Sequence, residues 1–208
     1  MRRYGSYLLP LPPRFFLNVM RVISGRAKGS HLKKVPGDTT RPIMDRVKES
    51  LFNILGNEVL DARWLDLFAG TGQVGIEALS RGAAHVVFVD KVRPAIKTIQ
   101  DNLSHTRLQA EADVVQADAF DYLARGGYDL FDLIYVAPPQ YLRLWMDVLT
   151  VLDKRPLTYL NPEGQIVVQI DPKEYEELPL KNLSLYKERT YGNTQLLFYE
   201  PVIYSGGT

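Results

Sequence analysis

The sequence predicts an α/β protein with a mainly parallel sheet of seven strands and helices on both faces. From residue 64 onwards, short apolar runs alternate with segments whose apolar residues recur at helical spacing, which is typical of βαβ units. A glycine-rich turn, Gly70-Thr71-Gly72, joins the first such run to the first helix. Two strand-like runs around Gly192-Asn193 then predict an antiparallel C-terminal hairpin at one edge of the sheet.

The chain before this alternation divides into two parts. Residues 1–19 are rich in proline and aromatic residues and lack periodicity, so they are predicted to form an N-terminal appendage. Residues 20–40 are predicted to form a small, basic β-hairpin extension that turns near Gly25. Pro42 suits the first turn of the helix that follows, and residues 41–204 are predicted to form the main domain.

Within the main domain, five parallel strands are predicted to alternate with helices. The strands are predicted at Trp64–Phe68, His85–Val89, Asp113–Gln116, Leu130–Val136 and Gln165–Ile170. The helices between them are predicted at Val74–Arg81, Arg93–Leu103, Ala119–Ala124 and Tyr141–Leu152. The closing hairpin is predicted to pair Leu183–Thr190 with Thr194–Glu200.

Composition excludes several classes of protein. The chain has no cysteine, which excludes disulfides, thiolate metal sites and a cysteine nucleophile. Its three histidines, His31, His85 and His105, are scattered along the sequence, so no metal site is predicted. No apolar run approaches the ~20 residues of a membrane span, and no cleavage site follows the first apolar stretch. We therefore expect a cytoplasmic protein without a membrane partner.

Charge is distributed unevenly along the chain. Residues 1–50 contain 11 Lys or Arg against 3 Asp or Glu, whereas residues 51–208 contain 14 against 21. Such asymmetry indicates contact between the basic part and nucleic acid, although a solvated basic face is the alternative interpretation.

Acidic residues are predicted to gather at the edge where the parallel strands end, which we call the rim. Ligands of open α/β sheets bind at this edge. Asp66 lies just before the glycine turn, the second strand leads to Asp90, and the third leads to Asp118. Asp118 also suits a helix N-cap. The fourth strand ends in the run 137–140, which contains two consecutive prolines.

Two cofactors compete for this rim. The spacing of Gly70, Gly72 and Gly75, with Asp90 about 20 residues further on, fits the dinucleotide fingerprint of NAD enzymes. However, Asp66 would repel a pyrophosphate, and the double proline has no role in hydride transfer. S-adenosylmethionine (SAM) has adenine and ribose, no phosphate, and two positive charges. The rim therefore favours SAM, and an NAD-dependent oxidoreductase is the lesser alternative.

Six segments of the chain form a recognisable set of motifs: Thr40-Arg41-Pro42, Asp45–Leu55, Asp66–Gly72, Glu77–Ala83, Ala117-Asp118-Ala119 and Tyr191–Thr194. Together they resemble the bacterial RsmD family of 16S ribosomal RNA guanine-N2 methyltransferases. The resemblance covers about residues 20–200. It implies a Rossmann-like class I methyltransferase that uses SAM to methylate a guanine N2 of 16S rRNA, in the RNA or in a small-subunit assembly particle. We expect a monomer.

The resemblance also implies roles for individual residues. The Asp66–Gly72 loop would hold the methionine part of SAM, Asp90 the ribose and Asp118 the adenine amino group. The implied cofactor-binding residues are Arg41, Asp66, Phe68, Gly70, Gly72, Asp90, Asp118 and Ala119. The implied RNA-binding residues are Arg21, Arg26, Lys28, Lys33, Lys34 and Arg46, which would contact phosphates and steepen the salt dependence of binding.

The predicted catalytic segment departs from the family motif. The family has Asp or Asn, then Pro-Pro, then Tyr or Phe, whereas this chain has Ala137, Pro138, Pro139, Gln140 and then Tyr141. Because Ala137 has no acceptor, catalysis is expected to use the Pro138 carbonyl, helped by Gln140 or a water molecule, with Tyr141 stacking on the base. The alternative is a protein that binds SAM and RNA but has lost catalysis.

Overall fold

The computed structural model describes residues 20–37, 43–127 and 129–203. Its helices are α1 (Asp45–Leu55), α2 (Gln73–Ser80), α3 (Arg93–Thr106), α4 (Ala119–Arg125) and α5 (Leu144–Lys154). Its strands are β1 (Arg63–Leu67), β2 (His85–Asp90), β3 (Ala112–Gln116), β4 (Phe131–Val136), β5 (Leu160–Ile170), β6 (Leu183–Tyr191) and β7 (Thr194–Pro201). The predicted appendage, Arg41 and Pro42 lie outside the described residues.

All seven strands form one sheet, in the order β3-β2-β1-β4-β5-β7-β6. The pairs among β1 to β5 are parallel, and β7 is antiparallel to both β5 and β6. The predicted mainly parallel sheet with an antiparallel C-terminal hairpin is therefore confirmed. The chain runs outwards from β1 to β3 and then returns to place β4 on the other side of β1. This reversal puts the topological switch point between β1 and β4.

Helices cover both faces of the sheet. One buried cluster contains the apolar faces of α1, α2 and α3, with Trp64 of β1 among them. The second cluster contains residues of α4 and α5 together with Leu65 and Leu67 of the same strand. This alternation along β1 is what a strand buried on both faces requires. Among the described residues, no helix is long and apolar enough to cross a membrane.

The N-terminal segment, residues 20–37, packs against the α1–α3 face. Its hairpin is shorter than predicted: it contains one antiparallel bridge, between Arg21 and His31, and a backbone bond of 2.8 Å from the Leu32 N–H to the Met20 carbonyl. Met20, Val22 and Leu32 are buried in the same cluster as α1 to α3. The backbone that carries the basic residues of this segment therefore packs directly against the core.

At the rim, two element boundaries differ from the prediction where residues other than glycine adopt a left-handed backbone. The strand β1 ends at Leu67 instead of Phe68 because Phe68 has a φ of 62°. The helix α5 begins at Leu144 instead of Tyr141, because Tyr141 and Arg143 have φ values of 61° and 59°. This left-handed backbone conformation is uncommon for residues other than glycine. All three residues lie at the rim, in the loops that follow β1 and β4.

Candidate cofactor and catalytic site

The glycine loop between β1 and α2 is fixed by bonds to its neighbours. The Ala69 N–H donates to the Val89 carbonyl on β2 at 3.0 Å, and the Gly72 N–H donates to the Ala69 carbonyl at 2.8 Å. The Thr71 carbonyl accepts a 2.9 Å bond from Nδ2 of the buried Asn102 on α3. Asn102 was not predicted to have a role. The one feature of the sequence that indicates it is a polar amide residue among the apolar residues of the buried face of α3.

The three glycines of the G-x-G-x-x-G pattern meet different surroundings. A Cβ added at Gly70 would have no neighbour closer than 4.0 Å, so this glycine borders open space. At Gly72 a Cβ would lie 3.2 Å from Ile99, and at Gly75 it would lie 2.4 Å from the Phe88 ring. Gly75 therefore permits close packing of α2 on β2, whereas Gly70 leaves room for a ligand next to bare backbone.

Asp66 lies beneath the glycine loop. Only 2% of the residue is exposed, and its Oδ2 accepts the Gly75 N–H of α2 at 3.1 Å. Burial raises the pKa of Asp66 well above its usual range; the Gly75 bond opposes this rise and the nearby Asp90 adds to it. Asp66 is paired in register with Tyr135 of β4, whose hydroxyl donates to Gln169 at 2.6 Å.

Asp90 joins the glycine loop to the start of α3. Its Oδ2 accepts the Gly70 N–H at 2.9 Å, and its Oδ1 accepts the Val92 N–H at 2.8 Å. A carboxylate offers about four lone-pair positions, and Asp90 is half-buried. Each of its oxygens can therefore still accept a bond from a ribose hydroxyl.

Asp118 caps α4. Its Oδ1 accepts the Phe120 N–H at 2.9 Å, while its Oδ2 lies 3.9 Å from the Lys91 ammonium. Ala119, the first residue of the helix, is buried. A role of Asp118 as the N-cap of α4 is compatible with a bond to adenine, because the cap uses only Oδ1. The other oxygen, Oδ2, faces the exposed Lys91.

The chemistry of this rim fits SAM. Three carboxylates surround an open stretch of backbone, which suits a ligand with hydroxyl groups and positive charge better than a pyrophosphate. Within the described ranges, no group of three or more histidines and carboxylates is arranged to hold a metal ion. Arg41 is the one predicted cofactor residue that lies outside the described part of the chain.

The loop after β4 reaches the rim directly beside the glycine loop, because Val136 pairs in register with Leu67 of β1. Ala137 is half-buried, Pro138 is buried, and Pro139 and Gln140 are exposed. No backbone N–H in the described ranges donates to the Pro138 carbonyl. Among the described residues, this oxygen therefore has no backbone partner.

Tyr141 is held at the rim by the connection between β5 and β6. Its hydroxyl donates to Oδ2 of Asp171 at 3.0 Å, and its N–H donates to the Glu174 carboxylate. The hydrogen bond to Asp171 raises the pKa of Tyr141. A neighbouring pair, Arg143 with Glu176, joins the same two loops. Because 63% of Tyr141 is exposed, its ring is fixed yet accessible.

The turn between β6 and β7 also lies at the rim. Gln195, just after this turn, pairs with Ile170 at the carboxyl end of β5. The Tyr191 hydroxyl is hydrogen-bonded to the Ser50 hydroxyl of α1. The family motif that begins at Tyr191 was assigned only to a hairpin turn from sequence. The structure places it beside α1, at the same edge as the loop after β4.

The six predicted RNA-binding residues fall into two groups. Arg21 pairs with Asp45 at 2.9 Å, Arg26 with Glu111 at 2.9 Å and Lys33 with Asp101 at 3.1 Å. Lys28, Lys34 and Arg46 are exposed and have no carboxylate partner among the described residues. Exposed ion pairs contribute only about 0–1 kcal/mol, so the three paired cations can also exchange their carboxylates for phosphates at little cost.

The chain is similar to several known proteins. The model of the family described as conserved hypothetical protein 95 matches residues 20–200. The chain is 41% identical over 185 residues to "Putative rRNA methyltransferase YlbH" of Bacillus subtilis (strain 168), a match covering 87% of this chain and 98% of that protein. It is 32% identical over 181 residues to "Ribosomal RNA small subunit methyltransferase D" of Escherichia coli (strain K12), covering 87% and 89%.

Solved structures show the same fold. The structure described as "Putative methyltransferase yhhF from Escherichia coli" superposes with a TM-score of 0.77 at 31% identity and covers 88% of this chain and 98% of that one. The range matched by the family model includes the glycine loop, the loop after β4 and the basic N-terminal segment.

Proposed function

The chain belongs to the conserved hypothetical protein 95 family, the RsmD family that its motifs resemble, and on this premise we propose that it methylates the exocyclic N2 of a guanine in 16S rRNA. Because its relatives are rRNA methyltransferases, the chain is an rRNA methyltransferase, and SAM is its methyl donor.

Four rim residues are proposed to hold SAM. Asp90 accepts the ribose hydroxyls on the lone pairs that its two backbone bonds leave free. The open side of Gly70 receives the methionine part, and the buried Asp66 beneath it contributes negative potential towards a cationic ligand. The Oδ2 of Asp118, which does not take part in the helix cap and lies 3.9 Å from the exposed Lys91 ammonium, accepts from the adenine amino group. When bound, SAM supplies an electrophilic methyl group.

The observation that carries the catalytic part is the free Pro138 carbonyl beside the glycine loop. The lone pair of a guanine amine is delocalised into the ring, so the enzyme must position the nitrogen and accept its N–H bonds. Pro138 accepts one of these bonds. The amide oxygen of the exposed Gln140, or a water molecule, accepts the other, because Ala137 has no acceptor.

Tyr141 is proposed to support the target base. A base taken out of its stack costs a few kcal/mol, and stacking on an aromatic side chain recovers about 1–3 kcal/mol. The bonds from Tyr141 to Asp171 and Glu174 fix the ring before the base arrives, which lowers the entropy cost of ordering the complex.

The substrate is proposed to be a small-subunit assembly particle, bound through the phosphates that face Arg21, Arg26, Lys28, Lys33, Lys34 and Arg46. We propose that the enzyme acts as a monomer in the cytoplasm, where such particles form. In the domain division we propose, residues 20–40 serve RNA contact and residues 41–204 hold SAM and carry out the transfer, with residues 1–19 as an appendage.

One observation supports a second candidate function. The absence of an acceptor at Ala137 is what a SAM- and RNA-binding protein without turnover would show. The intact rim and the free Pro138 carbonyl favour the enzyme.

Digestion of the methylated rRNA to nucleosides tests the proposal: we expect N2-methylguanosine, and label in any other nucleoside would contradict it. Calorimetry with SAM and with NAD excludes the oxidoreductase alternative if only SAM binds.

A further inference from the structure

A basic cavity lies between the N-terminal segment and one face of α3, and we call it the α3 cavity. Its volume is about 410 Å³, within the range of roughly 300–1,000 Å³ of ligand pockets. Lys33, Lys34 and Pro36 form one wall, and Arg93, Pro94 and Lys97 lie on the other. None of the cofactor residues described at the rim lines it.

The charge of the α3 cavity is strongly positive. Four of its lining residues are cationic and one, Asp101, is acidic. The Asp101 carboxylate is shared by Lys33 at 3.1 Å and Lys97 at 3.5 Å. Arg93 and Lys34 have no carboxylate partner among the described residues, so two cations remain available for an anion.

Hydrogen bonds within the protein hold the wall of the α3 cavity in place. The fully buried Asn102 accepts the Lys33 N–H at 2.7 Å through Oδ1 and donates to the Lys33 carbonyl at 3.1 Å through Nδ2. The same Nδ2 donates to Thr71 in the glycine loop. One side chain therefore fixes both the wall of the cavity and the loop at the rim.

The cavity also lies next to the rim. Arg93 follows Val92 directly, and the Val92 N–H donates to Asp90. Pro36 and Pro94 offer apolar surface on the two walls, against which a planar base can pack. Cations combined with an apolar surface suit a nucleotide better than an isolated inorganic anion.

We propose that the α3 cavity binds one nucleotide of the substrate RNA other than the methylated guanosine, with its phosphate against Lys34 and Arg93 and its base between Pro36 and Pro94. This inference rests on the proposed function, because it takes the RNA substrate as given. It extends the RNA surface from the N-terminal segment onto α3, to two cations that the sequence did not indicate, Arg93 and Lys97.

The test uses the double variant Arg93→Gln/Lys97→Gln in the full chain. The matched control is Lys154→Gln/Arg155→Gln, which removes the same charge at the end of α5, on the opposite face of the sheet. Binding to protein-free small-subunit rRNA and to under-methylated particles is measured against salt. SAM affinity, measured by calorimetry, reports whether each variant is folded and keeps its cofactor site.

We expect the α3 variant to bind protein-free rRNA about tenfold more weakly at 0.1 M salt. Its slope of log affinity against log salt should fall by about 0.7 for each lost contact to a single strand. The control should change affinity less than twofold, and SAM affinity should be unchanged in both. Photo-cross-linking of 4-thiouridine-substituted rRNA should label the peptide that contains Pro36 or the one that contains Pro94.

Two results would overturn the inference. Wild-type affinity of the α3 variant for both rRNA and particles would show that the cavity does not contact RNA. Weakened binding to particles alone would show that it contacts a ribosomal protein instead. Failure of the proposed function is a separate result, because it appears in the wild type as the absence of N2-methylguanosine.

Discussion

Lys48 of α1 and Glu77 of α2 form an ion pair inside the core, with 3.3 Å between Nζ and Oε2 and neither side chain exposed. Glu77 also accepts the N–H groups of Ile23 and Ser24 at 2.7 and 2.9 Å, and Lys48 donates to the Arg21 carbonyl at 2.6 Å. The pair therefore joins both helices to the basic N-terminal segment and fixes the position of the proposed RNA surface.

Replacement of Lys48 by Met should destabilise the protein by about 1–3 kcal/mol, because the buried Glu77 carboxylate loses one donor but keeps its pair with Arg81 at 2.8 Å. Burial lowers the pKa of Lys48, and the neighbouring Glu77 opposes that change. Arg26→Met, which breaks the exposed pair with Glu111, should cost less than about 1 kcal/mol. Urea unfolding measures both variants, and equal losses would contradict a structural role for the buried pair.

Gly25 and Gly29 form a matched pair of glycines in the N-terminal segment. Their φ values are 79° and 86°, but a Cβ at Gly25 would lie 1.7 Å from the Ser80 carbonyl oxygen, whereas a Cβ at Gly29 would have no neighbour within 4 Å. Gly29→Ala should therefore cost only the backbone strain of about 1–2 kcal/mol.

Gly25→Ala must also separate the segment from the end of α2, and overpacking adds about 1–3 kcal/mol. We expect a larger loss of unfolding free energy and weaker rRNA binding at unchanged SAM affinity. Chemical denaturation and filter binding measure the two effects. If Gly25→Ala and Gly29→Ala behave alike, the contact with Ser80 does not hold the segment in place.

Asp66→Asn should make the protein more stable at neutral pH and weaken SAM binding. The pKa of Asp66 is raised in the folded state, so the unfolded chain loses this proton at lower pH, and ionisation reduces stability as pH rises through and above 3.8. Asparagine still offers an oxygen to the Gly75 N–H. The stability gain should therefore grow with pH and then level off.

Denaturation of wild type and Asp66→Asn at pH values from 4 to 8 measures this gain, and a difference independent of pH would refute the assignment. SAM affinity should fall at the pH values where the stability gain has levelled off, because there the wild-type carboxylate is ionised and attracts the cationic ligand. Unchanged SAM affinity would remove Asp66 from the proposed cofactor site.

Two variants of Tyr141 distinguish stacking of its ring on the base from the hydrogen bond of its hydroxyl. Tyr141→Ala removes the ring and should lower kcat/KM for small-subunit particles by about 10–100-fold, which corresponds to 1–3 kcal/mol of stacking. Tyr141→Phe keeps the ring and loses only the bond to Asp171, so its loss should be several times smaller. SAM affinity should not change in either variant. Equal losses in both would assign the role of Tyr141 to its hydroxyl.

The sequence predicted the sheet and its order of elements because strand and helix patterns alternate without interruption. It predicted the residues at the rim because strand ends and glycine turns are local features. It did not indicate the Lys48–Glu77 pair, the bonds of Asn102 or the contact of Tyr191 with Ser50, since each joins residues distant in sequence. The sequence also did not indicate that α5 begins only at Leu144. Tyr141 is held by Asp171 and Glu174, and these two residues lie far away in sequence, after β5.

Methyl transfer is expected to proceed without a side-chain acceptor at position 137. Wild-type enzyme, labelled SAM and under-methylated small subunits test it directly, with Ala137→Asp measured in parallel. We expect wild type to transfer label to the rRNA, and we expect Gln140→Ala to lower the rate of transfer. If wild type binds SAM but transfers no label, and activity is gained only in Ala137→Asp, the protein is a binding protein and not an enzyme.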